Sequence, residues 1–264
     1  MGELVLRVVS AAILAPIALW CVWAGALWFA VLVCIVAAAA GGEWRRLAGL
    51  EARGIGTILI IGPLFAVIAA VWATPVVGLG ALAVALMLAL LTFGSPWAER
   101  KWVLIALPHV ALAALALLAL RQWPDAGREL VFFLLGCVWL SDIGGYVVGR
   151  IVGGPKLALR ISPNKTWSGA VGSLAFAVAG AVVFASSVGI ATAAPALMAG
   201  ILSLAAQAGD LFESGLKRRF GVKDSGKSIP GHGGVLDRVD GVLFAAPVMA
   251  LMVYLQGAEF VQWL

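Results

Sequence analysis

Long stretches without charged residues constrain the fold of this chain more than any other feature. Five of them contain no Asp, Glu, Lys or Arg, and a sixth contains only Asp142. They cover residues 8–42, 54–98, 102–120, 130–149, 166–209 and 241–258. A helix that spans a bilayer needs about 20 predominantly apolar residues. The three shorter stretches therefore predict one span each, and the three longer ones predict two spans each, which makes nine.

The composition supports a membrane protein and excludes several other classes. The chain of 264 residues is 63% apolar and 12% charged, whereas soluble domains average about 45–50% apolar and about 25% charged. An ordinary soluble enzyme and a disordered tail are therefore excluded. The three cysteines lie inside apolar stretches without metal-ligand spacing, so we expect small buried side chains. The predicted fold class is all-α, a polytopic integral membrane protein.

The predicted turns and the basic residues indicate an orientation in the membrane. Turns are expected at Trp23–Gly25, Thr74–Pro75 and Ser186–Gly189, where Gly, Pro or Ser interrupts the longer stretches. With nine spans, 16 of the 18 basic residues fall on the side of the N-terminus, and Arg121 and Arg128 fall on the other. An excess of Lys and Arg marks cytoplasmic loops. We therefore expect a cytoplasmic N-terminus, and we attribute the net charge of +5 to topology rather than to nucleic-acid binding.

The polar residues are distributed unevenly along the chain. We expect one membrane-embedded domain, residues 1–264, with a mainly scaffolding half at 1–128 and a catalytic half at 129–264. His109, in an uncharged span, is expected to be a satisfied interior histidine. Several Trp residues fall near predicted span ends, as an interfacial belt requires. They are Trp20, Trp23, Trp44, Trp97, Trp102, Trp123 and Trp263.

The first polar cluster, Ser141–Tyr146, places Asp142 inside an apolar span. An ionisable group there costs roughly 2.5–3.5 kcal/mol on insertion scales. One interpretation is a structural Asp paired with a basic residue of a neighbouring helix. The other is a metal ligand or substrate contact in a polar cavity. Gly144 and Gly145 would let another helix or a ligand approach the backbone closely.

The second polar cluster, Arg160–Gly169, contains a chain break at Pro163. Thr166 or Ser162 is a candidate cap for the helix that follows. A helix N-terminus with Lys165 beside it attracts phosphate. The alternative is an ordinary capped loop in which Lys165 only follows the excess of basic residues in cytoplasmic loops.

The third polar cluster spans Gly209–Asp240 and holds six basic residues, five acids and a histidine. A loop that only sets the orientation in the membrane needs the basic residues but not the acids. Asp210 and Asp237 lie near the ends of two neighbouring predicted spans, where they are expected to face each other. Mg²⁺ prefers one or two carboxylates and completes its shell with phosphate and water. This cluster therefore predicts Mg²⁺ and phosphates at the cytoplasmic surface, with a salt-bridged loop that binds anionic lipid as the alternative.

His232 lies in the glycine-rich part of the third cluster. It could act as a general base near neutral pH, bind a phosphate or fix the turn. Phosphoryl chemistry needs little proton transfer when the nucleophile is an ionised phosphate. We therefore favour a binding role for His232.

The third cluster resembles the signature of the phosphatidate cytidylyltransferase family, also called CDP-diacylglycerol synthase. The matching pattern is Ser214-x-Leu216-Lys217-Arg218, then Lys223-Asp224, then Pro230-x-His232-Gly233-Gly234-Val235-x-Asp237-Arg238-Val239-Asp240. The stretches Asp142-x-Gly144-Gly145-Tyr146 and Ser162-Pro163-Asn164-Lys165-Thr166-Trp167 are also similar to that family. Ser168 departs from the family, which often has Glu or Gln there, so Ser168 is left out of the predicted site.

The resemblance implies an enzyme that converts CTP and phosphatidate to CDP-diacylglycerol and pyrophosphate. It implies Mg²⁺, with K⁺ as a possible second cation, and it matches Asp210 and Asp237 to the metal-binding aspartates. The predicted catalytic residues are Asp210, Asp237, Lys217, Arg218, Lys223, Asp224, His232 and Arg238. The predicted substrate-binding residues are Asp142, Ser162, Asn164, Lys165, Thr166, Ser214, Gly233, Gly234 and Asp240.

The expected partners are CTP, phosphatidate and the bilayer, without nucleic acid and with a possible homodimer. The compact length suits a bacterial plasma membrane. Two other functions remain open on the residues alone. A polyprenol kinase would also use CTP, and a secondary transporter of an anionic metabolite would also use intramembrane carboxylates.

Overall fold

The computed structural model describes residues 3–52, 54–91, 95–187, 189, 193–231 and 233–257. Within these ranges the chain forms nine helices and one two-stranded hairpin. The helices are α1 (Glu3–Ala24), α2 (Ala26–Leu47), α3 (Gly54–Trp72), α4 (Pro75–Leu90), α5 (Trp97–Arg121), α6 (Gly127–Ile151), α7 (Trp167–Ser187), α8 (Ala194–Arg219) and α9 (Leu236–Gln256). The strands are β1 (Lys156–Ala158) and β2 (Ser162–Thr166), which pair antiparallel.

Seven of the helices are long and apolar enough to cross a membrane, from α2 to α9 with α4 left out. Helix α4 has 16 residues, and α1 contains an apolar segment at Ala12–Ala24, the part of that helix whose side chains the structure describes without gaps. The predicted all-α, multi-pass membrane fold is thus confirmed. The count of nine spans and the cytoplasmic N-terminus stay predictions.

Two of the predicted turns coincide with helix boundaries. Gly25 separates α1 from α2 with a backbone φ of 125°, a conformation that favours glycine. Thr74 caps α4, since its hydroxyl accepts a bond from the Val77 N–H at 3.3 Å, and Pro75 opens the helix. At the third predicted turn α7 ends at Ser187, and Val188 lies outside the described residues.

The chain divides into two compact units. The first unit contains the residues up to Trp123 and Arg219–Val239, and the second contains Pro124–Arg218 and the residues from Asp240 onward. In the first unit α3 packs against α2, α4 and α5. In the second unit α6 packs along α7. The prediction that residues 129–264 carry the chemistry concerns function and stays a prediction.

A close approach of two backbones joins α6 to α7. A Cβ added at Gly144 would lie 2.5 Å from the carbonyl oxygen of Gly172. No side chain fits in that space, so the glycine in Asp142-x-Gly144 serves contact with a helix, which is one of the two uses that the sequence suggested.

Trp44 does not belong to the interfacial belt. Its side chain is fully buried in the first unit, and its indole N–H donates to His109 Nδ1 at 3.1 Å. The interfacial interpretation is therefore wrong for Trp44, because its polar end is satisfied inside the protein. The same bond satisfies Nδ1 of His109, as expected for an interior histidine. Trp263 lies outside the described residues.

The cysteines behave as small interior side chains. Cys21 and Cys137 are buried, Cys34 is half-buried, and all three are free thiols. Cys21 and Cys137 thus match the expectation of small buried side chains.

Candidate active site

One aspartate of the second unit interacts with two others. Asp240 on α9 is in electrostatic contact with Asp210 on α8 and Asp142 on α6, as well as with Lys217. The backbones of α8 and α9 approach closely here, since a Cβ at Gly209 would lie 2.4 Å from the Asp240 carbonyl oxygen. We call Asp142, Asp210 and Asp240 the carboxylate cluster.

Two lysines face this cluster. The Lys165 ammonium forms an ion pair with Asp210 Oδ2, and the Ser214 hydroxyl donates to Asp210 Oδ1 at 3.4 Å. Lys217 Nζ lies 3.2 Å from Oε1 of Glu213, one turn earlier on α8. Together these side chains comprise four carboxylates and two ammonium groups. Their excess of negative charge favours a cation nearby.

The β1–β2 hairpin presents Lys165 to the cluster. Lys165 lies on β2, and the next residue, Thr166, accepts a bond from the Gly169 N–H at 3.1 Å. Thr166 therefore caps α7, as predicted. Ser162 is wrong as a candidate cap, because it opens strand β2. Arg218 Nε donates to the Ile161 carbonyl oxygen at 3.3 Å, which ties α8 to the hairpin turn.

The predicted metal ligands belong to different units. Asp210 lies in the second unit and Asp237 in the first, so their predicted meeting stays a prediction. Within the described ranges, no three His, Cys, Asp or Glu side chains are grouped closely enough to hold a metal ion. Asp210 is instead oriented by Lys165 and Ser214.

Asp237 is held firmly in the first turn of α9. Its Oδ2 accepts three bonds, from Ser225 N at 2.9 Å, Ser225 Oγ at 2.9 Å and Gly234 N at 2.8 Å. A carboxylate is favoured there because the N-terminus of a helix carries partial positive charge. Since all three bonds end on one oxygen, they fix the direction in which the carboxylate points.

Glu43 was missed by the sequence analysis, although its carboxylate accepts four hydrogen bonds. This residue of α2 is fully buried and accepts bonds from Ser225 Oγ, Ser228 Oγ, Val235 N and Leu236 N, at 2.7–2.9 Å. The last two donors are backbone N–H groups at the start of α9. The sequence did contain a signal. Membrane topology explains the basic residues Arg45 and Arg46 of a cytoplasmic loop, but it does not explain the acid Glu43 beside them.

The other predicted site residues lie mostly on the surface. Lys223, Asp224 and Arg238 are exposed in the first unit, and Asn164 and Asp142 are exposed in the second. Gly233 adopts φ 81°, a conformation that favours glycine. Gly234 lies against Ser225 and Glu43, where a Cβ would come within 2.1 Å of the serine hydroxyl oxygen. His232 lies outside the described residues, so its role stays a prediction.

Comparison with known proteins shows similarity along nearly the whole chain. Residues 5–256 match the model of a family described as the cytidylyltransferase family. A phosphatidate cytidylyltransferase of Brucella suis biovar 1 is 39% identical over 99% of this chain and 96% of its own length. One of Pseudomonas aeruginosa is 34% identical over 95% of this chain and 97% of its own length. One of Mycobacterium leprae is 44% identical over 52% of this chain and 44% of its own length.

Proposed function

Because this chain belongs to the cytidylyltransferase family, we propose that it transfers the cytidylyl group of CTP to phosphatidate and forms CDP-diacylglycerol. The observation that carries the proposal is the 39% identity to a phosphatidate cytidylyltransferase over 99% of this chain. The chain is a nucleotidyltransferase and a multi-pass membrane protein. The bacterial relatives support a bacterial membrane as its location.

The proposed reaction is an in-line displacement at phosphorus. A phosphate oxygen of phosphatidate forms a bond to the α-phosphorus of CTP. The bond from that phosphorus to the oxygen bridging the β-phosphate breaks, and pyrophosphate leaves with the electron pair. Both reactants are anions, so the main barrier is to bring them together and to stabilise the charge that develops.

The residues of the carboxylate cluster fit Mg²⁺ by their donor chemistry. Asp142, Asp210 and Asp240 offer hard oxygen ligands, and Mg²⁺ is commonly held by one or two carboxylates together with substrate phosphates. We propose Asp210 as the ligand of the second unit, with Asp142 and Asp240 as groups that orient it. When bound, the metal neutralises the phosphates and polarises their oxygens. Asp237 as a second ligand, and a K⁺ beside the metal, stay predictions.

The basic side chains bind and orient the phosphates in this proposal. Lys165 is held at the capped N-terminus of α7, where backbone N–H groups also attract phosphate. Lys217 lies one turn after the buried Glu213 and faces Asp240. The exposed Lys223 and Arg238 are accessible to an anionic substrate. Positioning of this kind supplies much of the rate in reactions between bound groups.

The test uses purified protein, phosphatidate in detergent micelles, Mg²⁺, and CTP labelled at either the α- or the γ-phosphorus. We expect lipid to acquire label from the α position, with release of one pyrophosphate per lipid product. Label entering lipid from the γ position would make the protein a kinase and overturn the proposal.

A pair of matched variants connects the reaction to the site. Asp210→Asn removes a carboxylate charge from the cluster and is expected to abolish turnover. Asp125→Asn makes the same change at an exposed residue between α5 and α6. Asp125 has φ 60°, which Asn also tolerates, so this control should keep wild-type turnover. Equal activity of the two variants would remove Asp210 from the site.

A further inference from the structure

Glu43 is a buried acid that the proposed reaction does not use. It lies on α2, and its four hydrogen-bond donors among the described residues lie in two nearby segments, Ser225–Ser228 and Gly233–Leu236, which together we call the capping loop. These donors are more than 180 residues away in sequence. A buried carboxylate is tolerated only when donors satisfy it, and here two hydroxyls and two backbone N–H groups do so.

The space around Glu43 also fits a carboxylate. A Cβ at Gly226 would lie 2.8 Å from Glu43 Oε1, and a Cβ at Gly234 would lie 2.4 Å from Oε2. A side chain at either position would displace the Glu43 carboxylate from this arrangement. The two glycines therefore allow the capping loop to close directly around the carboxylate, with the Arg46 guanidinium 4.0 Å away on the exposed side.

One hydroxyl connects Glu43 to Asp237. Ser225 Oγ lies 2.9 Å from Glu43 Oε2 and 2.9 Å from Asp237 Oδ2. A serine hydroxyl has one proton to donate, so the two carboxylates compete for it and are linked through it. Ser228 contacts Glu43 as well, and its hydroxyl donates to the other oxygen, Oε1, at 2.7 Å.

We propose that Glu43 is a positioning residue for Asp237: it holds the capping loop so that Ser225 and Gly234 fix the direction of the Asp237 carboxylate, a predicted metal ligand. The inference rests on the proposed function, because it gives Asp237 a part in that reaction. Glu43 itself touches no reacting atom. Groups that orient a metal ligand affect metal affinity or activity by about 10- to 100-fold when they are removed.

Two serines provide the decisive comparison, since Ser225→Ala and Ser228→Ala each remove one hydroxyl from Glu43. In Ser225→Ala and Glu43→Gln we expect the Mg²⁺ concentration for half-maximal activity to rise by about 10- to 100-fold. Ser228→Ala should leave it unchanged. The double variant Glu43→Gln/Ser225→Ala should show the same shift as Glu43→Gln, because both changes interrupt one connection. Glu51→Gln, at an exposed acid after α2, is the control for the loss of charge.

Equal shifts in Ser225→Ala and Ser228→Ala would overturn the proposal, and so would wild-type Mg²⁺ dependence in a folded Glu43→Gln protein. Glu43→Asp keeps the negative charge but withdraws the carboxylate from the capping loop, so it takes the place of Glu43→Gln, with the same expected shift, if Glu43→Gln fails to fold.

Amide hydrogen exchange of the capping loop separates this inference from the proposed function. In Glu43→Gln we expect faster exchange at Ser225 and Gly234, whose N–H groups bond to Asp237 rather than to Glu43. Unchanged exchange at these two amides would refute the inference even if the protein forms CDP-diacylglycerol. Faster exchange would support it even if the lipid product is a different one.

Discussion

The buried ion pair of α8 allows a quantitative prediction for Glu213→Gln. Glu213 is 1% exposed and Lys217 is 14% exposed, with 3.2 Å between Oε1 and Nζ. Removing one partner of a buried pair typically costs about 3–5 kcal/mol, because the remaining buried charge loses that attraction. At roughly 2–4 °C for each kcal/mol in a chain of this size, the midpoint of thermal unfolding should fall by about 6–20 °C.

The assay is thermal unfolding of the purified full chain in detergent, followed by tryptophan fluorescence. Glu129→Gln is the matched control, since Glu129 pairs with Arg128 at side-chain exposures of 30% and 49%. An exposed pair is worth about 0–1 kcal/mol, so this midpoint should fall by no more than about 4 °C. Equal shifts in the two variants would refute the reasoning.

A double variant separates stability from chemistry. Glu213→Gln/Lys217→Met removes both charges, and replacing a whole buried pair by neutral groups is often neutral for stability. We expect the unfolding midpoint to recover most of its loss while turnover stays low, because Lys217 belongs to the proposed phosphate-binding residues. Recovery of turnover together with stability would limit Lys217 to a structural role.

Two further substitutions test local geometry. Gly234→Ala should strongly reduce turnover, because its Cβ would come within 2.1 Å of Ser225 Oγ. Gly80→Ala on α4 is the control and should match wild type in the same assay, because the added Cβ meets no neighbouring residue within 4 Å. Equal losses of turnover in the two variants would contradict the argument. Thr166→Val should lower the free energy of unfolding by about 1 kcal/mol through loss of the cap on α7; an unchanged denaturation midpoint would show that the bond to Gly169 N is not stabilising.

The helices could be predicted from the sequence because a bilayer requires local features. Uncharged stretches of about 20 residues mark spans, and Gly25 and Thr74 mark two of the turns between them. The signature residues of α8 and α9 could be found because the acids, bases and glycines occur in a fixed pattern along the chain. The polar contacts within α8, such as Ser214 with Asp210, also connect residues that are near in sequence.

The hairpin could not be predicted by the same reasoning. Its strands have three and five residues, and Pro163 suggested a chain break rather than a strand. Proline is tolerated here because both strands of a two-stranded hairpin are edge strands, where a missing N–H need not leave a carbonyl unpaired.

Long-range contacts account for the remaining differences. Glu43 bonds to residues more than 180 positions later in the chain, and no periodicity or local motif reports such a contact. Trp44 beside it was interpreted as interfacial for the same reason, since its partner His109 lies 65 positions away. Sequence reasoning succeeded where the cause of a structure is local and failed where two distant segments satisfy each other.

The central claim is that the aspartates of the second unit attract the divalent cation that lets two anions react. Its most direct test is equilibrium binding of Mn²⁺ to the purified full chain in the presence of CTP, measured by electron paramagnetic resonance. The account predicts Mn²⁺ binding to the wild-type protein and to Asp125→Asn, and binding weaker by on the order of tenfold or more in Asp210→Asn. Mn²⁺ affinity in Asp210→Asn equal to that of the wild-type protein would contradict the claim.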